Sequence, residues 1–502
     1  MLTVPLPEEP SFEQLRKQAR ELQRAVRAGE PEALAELAER YPRAGGPATL
    51  RLTTAQAALA RRYGFPSWAR LKRHVEIVER YARYPGRVNE TEPSSLGDRF
   101  LRLACMSYHA IVGPERWAEA RAVASQHPEI SAGNVHVAAV LPDTAELARI
   151  LGRDPAAARR EGGPYRWEPL YYLAYARHDP DIDKDAVLEA ARLLLAAGAD
   201  PNVGYLWLGH PPMFTALTGV FGEGELGPEL QPRHPHSLAL GRLLLEAGAD
   251  PNDEQALYNR MFQPGNDHLE LLFEFGLGSG AGGPWEELLG DDMCSPEGML
   301  GDSLHWAISH GLAERVTLLL DHGVQASRPF PDGNLPTVLA AIRGHAELVS
   351  LLTEHGAVPP ELSPSQAVVA AILAGDRAEV RRLRASHRGL VTRVRDRHPG
   401  LVPWAATLSR PDVLRLLVDL GWDINAKGRT DGPSNQAWDT ALHHAAGAGE
   451  LDLARVILDL GGDTAVRDGR FNTRPLDWAR YFNQPELVDL LEPLTVDPAP
   501  SE

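Results

Sequence analysis

The sequence predicts an all-α fold, a solenoid of stacked antiparallel helix pairs preceded by a small four-helix module, and three observations carry that prediction. The first is a phrase written twice: Leu-Leu-Leu-Ala-Ala-Gly-Ala-Asp-Pro-Asn at 193–202 and Leu-Leu-Leu-Glu-Ala-Gly-Ala-Asp-Pro-Asn at 243–252. It reads as the end of a buried helix, a glycine that leaves the helix through left-handed backbone, and an Asp-Pro turn. The second is the recurrence of helix-ending glycines at Gly198, Gly248, Gly276, Gly323, Gly356, Gly421 and Gly461. Gly323 to Gly356 spans 33 residues and Gly356 to Gly421 spans 65, close to two such steps, and a recurring period of this kind marks a repeat architecture. The third is size: 502 residues exceed what one closed core organises, whereas a stack that grows in one direction has no such limit.

Residues 1–83 form the N-terminal module. Ser11 with Gln14 makes a capping box for a helix whose Leu15, Ala19, Leu22 and Val26 share a face, and Gly29 closes it. Pro31 opens a second helix through Leu34 and Leu37. A third runs from Thr53 to Arg62 and stops at Gly64, and Pro66-Ser67-Trp68 starts a fourth through Leu71, Val75 and Val78. Arg61, Arg62, Arg70, Lys72 and Arg73 are interleaved with Tyr63, Phe65 and Trp68, a composition also found in nucleic-acid patches. The preferred reading is an aromatic core coated by solvated cations. Residues 84–96, with two prolines, one glycine and Asn-Glu-Thr-Glu, read as a linker.

The solenoid is assigned to 97–494. Residues 101–130 make a poor, capping pair, and 134–152 a recognisable one. Gly198 to Gly248 spans 50 residues, with the excess at 203–214 and 222–236, and Gly276 to Gly323 spans 47, opening on a glycine-rich run that reads as a flexible connector. Such insertions map to loops on one side of a stack. Residues 476–491 close the stack as a C-terminal cap, and 495–502 are an unpacked, proline-rich tail.

Thr440-Ala441-Leu442-His443-His444-Ala445-Ala446 matches Thr-Pro-Leu-His-x-Ala-Ala, the opening of the first helix in ankyrin repeats. Arg474-Pro475-Leu476-Asp477-Trp478-Ala479 and Ser303-Leu304-His305-Trp306-Ala307 are variants of it, and Gly344-His345-Ala346-Glu347-Leu348-Val349 supplies the turn between the helices of a pair. On these residues the chain resembles ankyrin-repeat proteins over most of its length. The N-terminal wording at 15–22 and 55–72 resembles a helical module of bacterial, actinobacterial-type, ankyrin-repeat proteins. The resemblance implies about ten irregular repeats, hydrogen bonds between repeats through His305 and His443, and a concave face lined by the first helices. The residues it places on that face are Tyr172, Tyr175, Asn259, Phe262, Trp306, His310, Trp404, His444, Trp478 and Tyr481. Several of these, Trp404 and Trp478 first, could instead pack between repeats.

Motifs for catalysis are missing. There is no phosphate loop, no Gly-x-Ser-x-Gly elbow and no His-Glu-x-x-His helix, and Ser303 near His305 has no orienting acid. Cys105 and Cys294 are too few for a disulfide framework or a four-cysteine zinc site, and His234 with His236 is a weak metal pair. No metal, cofactor or catalytic residue is expected, and enzymatic activity is the less favoured reading. The net charge of −17, with a formal +6 over residues 1–87 and −23 over the rest, argues against general nucleic-acid binding and favours a basic partner. No run is apolar enough for a membrane span, the start is unlike a signal peptide, and a cytoplasmic location is expected. The expected function is non-catalytic recognition of a protein or peptide. The alternative is a small-molecule or enzymatic pocket built by 203–236 and 276–300, lined by Tyr205, Trp207, His210 and Phe214.

Overall fold

The triple leucine at 193–195 lies near the end of the helix Lys184–Ala196, and the way this helix stops is repeated along the chain. Gly198 takes φ 98°, and the N–H of Ala199 reaches back to the carbonyl of Leu194 at 3.0 Å. The same closure joins Ala249 to Leu244, Leu277 to Leu272, Val324 to Leu319, Ala357 to Leu352, Trp422 to Leu417 and Gly462 to Ile457. It satisfies carbonyls that a helix end leaves without partners. A Cβ built on Gly198 meets nothing within 4 Å, so glycine is required there by conformation and not by space.

The Asp-x-Asn segment after the glycine ties one turn to the next. In each such segment the aspartate accepts the N–H two residues on: Asp200 from Asn202 at 2.9 Å, Asp250 from Asn252 at 3.0 Å and Asp423 from Asn425 at 2.9 Å. The asparagine reaches forward. Asn202 Nδ2 donates to the Gly248 carbonyl at 2.9 Å while its Oδ1 accepts from the Asp250 N–H at 2.8 Å. Asn425 clasps Gly461 and Asp463 in the same way at 3.1 and 2.8 Å, and Asn252 clasps Ser279 and Gly278 at 3.3 and 2.8 Å.

This computed structural model describes residues 4–7, 9–41, 46–109, 114–280, 282–429 and 436–495. The chain is mostly helical, and it divides into two compact units, Met1–Met299 and Leu300–Glu502. Among the described residues no helix is long and apolar enough to cross a membrane.

The first unit begins with the helices Phe12–Ala28, Pro31–Arg40, Leu52–Arg62 and Trp68–Tyr81. Ser11 and Ser67 cap the first and fourth through the N–H groups of Gln14 and Arg70. Phe12, Tyr63, Phe65 and Trp68 pack around Leu15, Ala19, Leu59, Leu71 and Val75, so the aromatics interleaved with arginines are core residues. All four arginines are used inside the unit: Arg61 donates to the Arg40 carbonyl at 2.9 Å and Arg62 meets Glu36 at 3.5 Å. Arg70 pairs with Asp291 at 3.0 Å, and Arg73 donates to the carbonyls of Glu287 and Leu288 at 2.9 and 2.6 Å.

Five helix pairs come next: Leu96–Ala104 with Pro114–Gln126, Val135–Val140 with Thr144–Arg153, Pro169–Tyr175 with Lys184–Ala196, Ala216–Phe221 with Ser237–Glu246, and Glu254–Met261 with Asp267–Glu274. From Val135 onward first helices pack on first helices and second on second. The first helices are short, and small residues such as Ala138, Ala139 and Gly219 permit close approach. A Cβ on Gly219 would lie 2.1 Å from the ring of Tyr175.

Two expectations change here. Residues 203–214, expected as an open loop, form a β-hairpin. Strand β2 (Gly204–Trp207) pairs antiparallel with β3 (Met213–Thr215) and parallel with β1 (Ala82–Arg83), giving the order β1-β2-β3. Leu206 and Met213 bury with Ile77, Val78 and Leu289, which is why alternating apolar residues here prefer a strand. Residues 84–96, read as a linker, hold the helix Pro85–Asn89, and its first two residues, Pro85 and Gly86, are buried.

The second unit contains the pairs Pro336–Arg343 with Ala346–Glu354, Pro364–Leu373 with Arg377–Ser386, Leu401–Thr407 with Pro411–Asp419, Ala441–Ala448 with Leu451–Asp459, and Pro475–Tyr481 with Pro485–Leu491. An additional helix, Leu390–Arg397, fills the connection before Leu401. One apolar cluster runs from Val368 to Leu491. Thr440 caps its helix through His443, and His443 Nε2 bonds the Thr473 carbonyl at 3.0 Å, reaching from one pair to the loop that opens the next. Of the expected tail, 495–502, all but Thr495 lies outside the described residues.

The clasp predicts a stability effect. Asn425→Ala removes two hydrogen bonds and should cost about 1–2 kcal/mol, read as a lower urea midpoint at unchanged slope. Asn425→Asp, which keeps the acceptor and loses the donor, should fall between the alanine variant and the parent.

Candidate functional site

In the first unit the aromatic residues expected on an open face are covered. Tyr172 Oη donates to the Gly162 carbonyl and accepts from the Tyr165 N–H, both at 3.0 Å, and Tyr175 Oη donates to the Thr215 carbonyl at 3.1 Å. The β2–β3 hairpin roofs the helix that carries them, and Tyr171 Oη donates to the Phe214 carbonyl at 3.2 Å. Both Tyr172 and Tyr175 are fully buried and are therefore not surface contacts; burial pushes both phenols well above their ordinary pKa. Tyr205 is buried as well, with its hydroxyl accepting the Glu168 N–H at 3.1 Å and the Arg83 guanidinium 4.1 Å from its ring centre.

Tyr205, Trp207 and Phe214 do come together, around a narrow cleft shared with Tyr108, Trp167 and Tyr171. The cleft has room for about one water, and the tyrosine hydroxyls around it are already bonded to the fold. His210 is exposed in the hairpin turn and does not line it. The four residues expected to line a pocket therefore do not share one: three border the cleft and His210 stands outside it.

A second, less open recess lies between the two Asp-Pro-Asn turns, with Asp250, Asp253, Glu254 and Glu286 on its wall. Most of these carboxylates serve the fold. Asp253 caps the helix Glu254–Met261 and accepts from Thr215 and Thr218, and burial raises its pKa to about 6. Asp250 accepts from Asn252, and Glu254 accepts the Cys294 N–H at 2.9 Å. Among the described residues no group of three or more His, Cys, Asp or Glu side chains is placed to hold a metal ion.

Asn259 is also buried, donating to Tyr108 Oη at 2.9 Å and accepting from Gln255 at 2.7 Å, so it too is removed from the surface. Phe262 is half-buried, edge-on to Tyr258 with ring centres 5.3 Å apart. Next to Asn259 lies an ion network that sequence reasoning misses. Arg260, 2 % exposed, pairs with Glu223 and with Asp267 at 3.1 Å, and Arg233 meets Asp267 at 2.7 Å. Glu223 holds left-handed backbone, φ 61°, between Gly222 and Gly224. Burial raises the pKa of Glu223 and lowers that of Arg260, while His268 and Arg233 hold Asp267 low. The network fastens the 222–236 insertion to the helix of Arg260.

His234 and His236 are committed as well. His234 Nδ1 accepts the His236 N–H at 3.1 Å, and His236 Nε2 donates to the Ile182 carbonyl at 2.6 Å. His178 and His234 are buried and held neutral; desolvation lowers His178 to about 4 and His234 well below its ordinary value.

The second unit treats its aromatics differently. The rings of Trp306 and His310 stack at 3.8 Å and are half-buried, and His310 lies 6.3 Å from Trp404. Trp404 itself is fully buried, with Nε1 bonded to the Arg343 carbonyl at 3.2 Å, so it supports the face and does not form it. His444 is half-buried beside Glu450 at 3.7 Å. Trp478 packs edge-on to His443 and donates to Thr473 Oγ1 at 3.0 Å. Tyr481 is 68 % exposed and Phe482 50 %, their rings 5.0 Å apart. Sequence reasoning misses Phe482, although it directly follows Tyr481 at the end of a first helix.

No protein-family model and no curated protein matches this chain.

The buried groups predict two outcomes. Arg260→Ala strands Glu223 and Asp267 and should destabilise the protein by about 3–5 kcal/mol, read by denaturant unfolding. The histidine effect runs with pH. A folded-state pKa below the unfolded one means that the unfolded chain binds more protons, so stability present above pH 6.5 is lost as pH falls toward 4. His178 alone, lowered from 6.5 to about 4, accounts for about 3 kcal/mol of that loss. His178→Phe should flatten the stability–pH curve between 4 and 6.5.

Proposed function

We propose that the protein is a non-catalytic recognition scaffold of the ankyrin type, and that it binds an extended protein segment on the face formed by the ends of first helices within residues 300–502. The ankyrin reading is supported by the capping of Thr440 and His443, by the bond from His443 to Thr473, and by the forward clasps of the asparagines. The observation that carries the function is a set of aromatic rings that the packed helix layer leaves half-buried or exposed. Trp306 with His310, His444, and Tyr481 with Phe482 lie within or directly after the helices Pro296–Ser309, Ala441–Ala448 and Pro475–Tyr481, and Tyr481 and Phe482 are the exposed ones. Rigid aromatics with polar tips supply contact area at small entropic cost, which is why they dominate interface energetics.

A basic segment suits this face. His444 and Ser409 bond to Glu450 and keep its carboxyl ionised, and the chain's net charge attracts cations at long range. The test compares proteins captured by the full chain, and by a folded Trp306→Ala/His444→Ala/Tyr481→Ala variant, from cells that make the protein. Loss of a specific partner by at least about tenfold is expected, with weakening at high salt. Retention of every partner by the folded variant would place recognition elsewhere.

A further inference from the structure

We propose that the second unit carries a separate site for an acidic polypeptide segment, built by the arginines of the helices Arg377–Ser386 and Leu390–Arg397. Residues 377–397 contain eight arginines against Glu379 and Asp396, a formal +6 in a chain of net charge −17. The surface does not include the aromatic face, and it stands whether or not that face binds a partner.

Density of charge, eight arginines in 21 residues, sets this cluster apart from the unit's other surface arginines, of which Arg415 and Arg470 likewise have no described carboxylate partner. Arg410, Arg455 and Arg480 each meet a carboxylate, at 2.7, 3.1 and 2.6 Å. Within the cluster Arg377, Arg382 and Arg395 do the same, with Asp419, Glu379 and Asp396. Arg381, Arg384, Arg388, Arg393 and Arg397 are all exposed, and among the described residues none of the five has a carboxylate partner. What two of them do bond is backbone: Arg381 donates to the Arg377 carbonyl and Arg393 to that of Arg388, each at 3.2 Å.

The spacing makes these charges costly to the fold. Arg377, Arg381 and Arg384 stand at i, i+4 and i+7 on one side of their helix, beside the face that buries Val380 and Leu383. Arg393 and Arg397 repeat the i, i+4 relation beside Val394. Like charges so placed oppose helix formation, and of these only Arg377 has a described carboxylate, Asp419, to offset it. A carboxylate-rich ligand removes that repulsion and meets planar forks that bind carboxylates two atoms at a time.

The size and composition of the surface choose among polyanions. From Arg377 to Arg384 the stripe is about 10 Å long at 1.5 Å per residue, and the five guanidinium groups without a described carboxylate partner match about five carboxylates. A nucleic-acid duplex would extend beyond the patch onto a surface that is acidic in sum. Residues 377–398 contain no Phe, Tyr or Trp on which bases could stack. A short acidic segment of a protein fits both limits.

The test uses fluorescence anisotropy of labelled deca-glutamate with the full chain at low salt. Arg381→Glu/Arg384→Glu/Arg388→Glu/Arg393→Glu should weaken binding at least about tenfold, and Lys at the same four positions should weaken it only about threefold, because charge is kept and the fork lost. Arg16→Glu/Arg20→Glu/Arg24→Glu, on an exposed helix of the first unit, should leave it unchanged. Circular dichroism melts confirm that each variant is folded. The proposal fails if deca-glutamate does not bind, if the fourfold Glu variant binds it as well as the parent does, if the Arg16 group weakens it equally, or if a ten-nucleotide thymidine strand binds more tightly than deca-glutamate.

Discussion

Everything in this chain depends on closing a helix and then holding the closed end against its neighbour. Glycine and the Schellman-type bond do the first, and the forward reach of an asparagine side chain does the second. The two tasks fall to different residues of one turn. In Asp423-Ile424-Asn425 the aspartate makes its own turn while the asparagine fixes the turn after it. A two-point clasp fixes distance and rotation together, so each pair inherits its placement from the one before. Between Gly323 and Val358, where no Asp-x-Asn clasp reaches the next turn, other side chains make the links. Thr337 Oγ1 donates to the Val358 carbonyl at 2.9 Å and His345 Nε2 meets the Ser309 carbonyl at 3.3 Å.

How much of this could be read beforehand depends on the range of the interaction. Helix ends, caps and pairs are local, and Ser11, Ser67, Thr440 and the seven glycines all act where the sequence places them. The forward grip of Asn202 is not local: its partners are 46 and 48 residues away, and only the repetition of the phrase hints at them. The hairpin had a signal in the alternation of Tyr205-Leu206-Trp207 and Met213-Phe214-Thr215, but its covering of Tyr172 and Tyr175 required knowing that β2 would pair with β1, more than a hundred residues earlier. The Glu223, Arg260, Asp267 and Arg233 network draws on three separate segments, and burial alone turns its ordinary charges into a single unit. The arginine run at 377–397 is plain in the sequence. Which of its arginines have partners is a property of the fold.

The two units share one use of their aromatic side chains and differ in another. In the first, tyrosine hydroxyls bond to backbone carbonyls of the hairpin, and the aromatic positions of the first helices become structural. In the second, Trp404 and Trp478 are likewise bonded into the fold through their indole nitrogens, while Tyr481 and Phe482 reach water. An insertion laid over the first helices, as the hairpin is over Tyr172 and Tyr175, turns their aromatic positions into bracing ones.

The asparagine clasp also has a consequence in time. Each one reaches from an earlier residue to a later one: Asn202 to Gly248, Asn252 to Gly278, Asn425 to Gly461. On a ribosome the gripping side chain emerges first and its target comes some 26 to 46 residues behind. A turn already closed by its glycine must wait with a solvated amide until the next pair is made. The turn Asp463-Thr464-Ala465 has an alanine in the asparagine's place, and its forward link comes from Thr464 Oγ1, which donates to the Leu494 carbonyl at 2.9 Å.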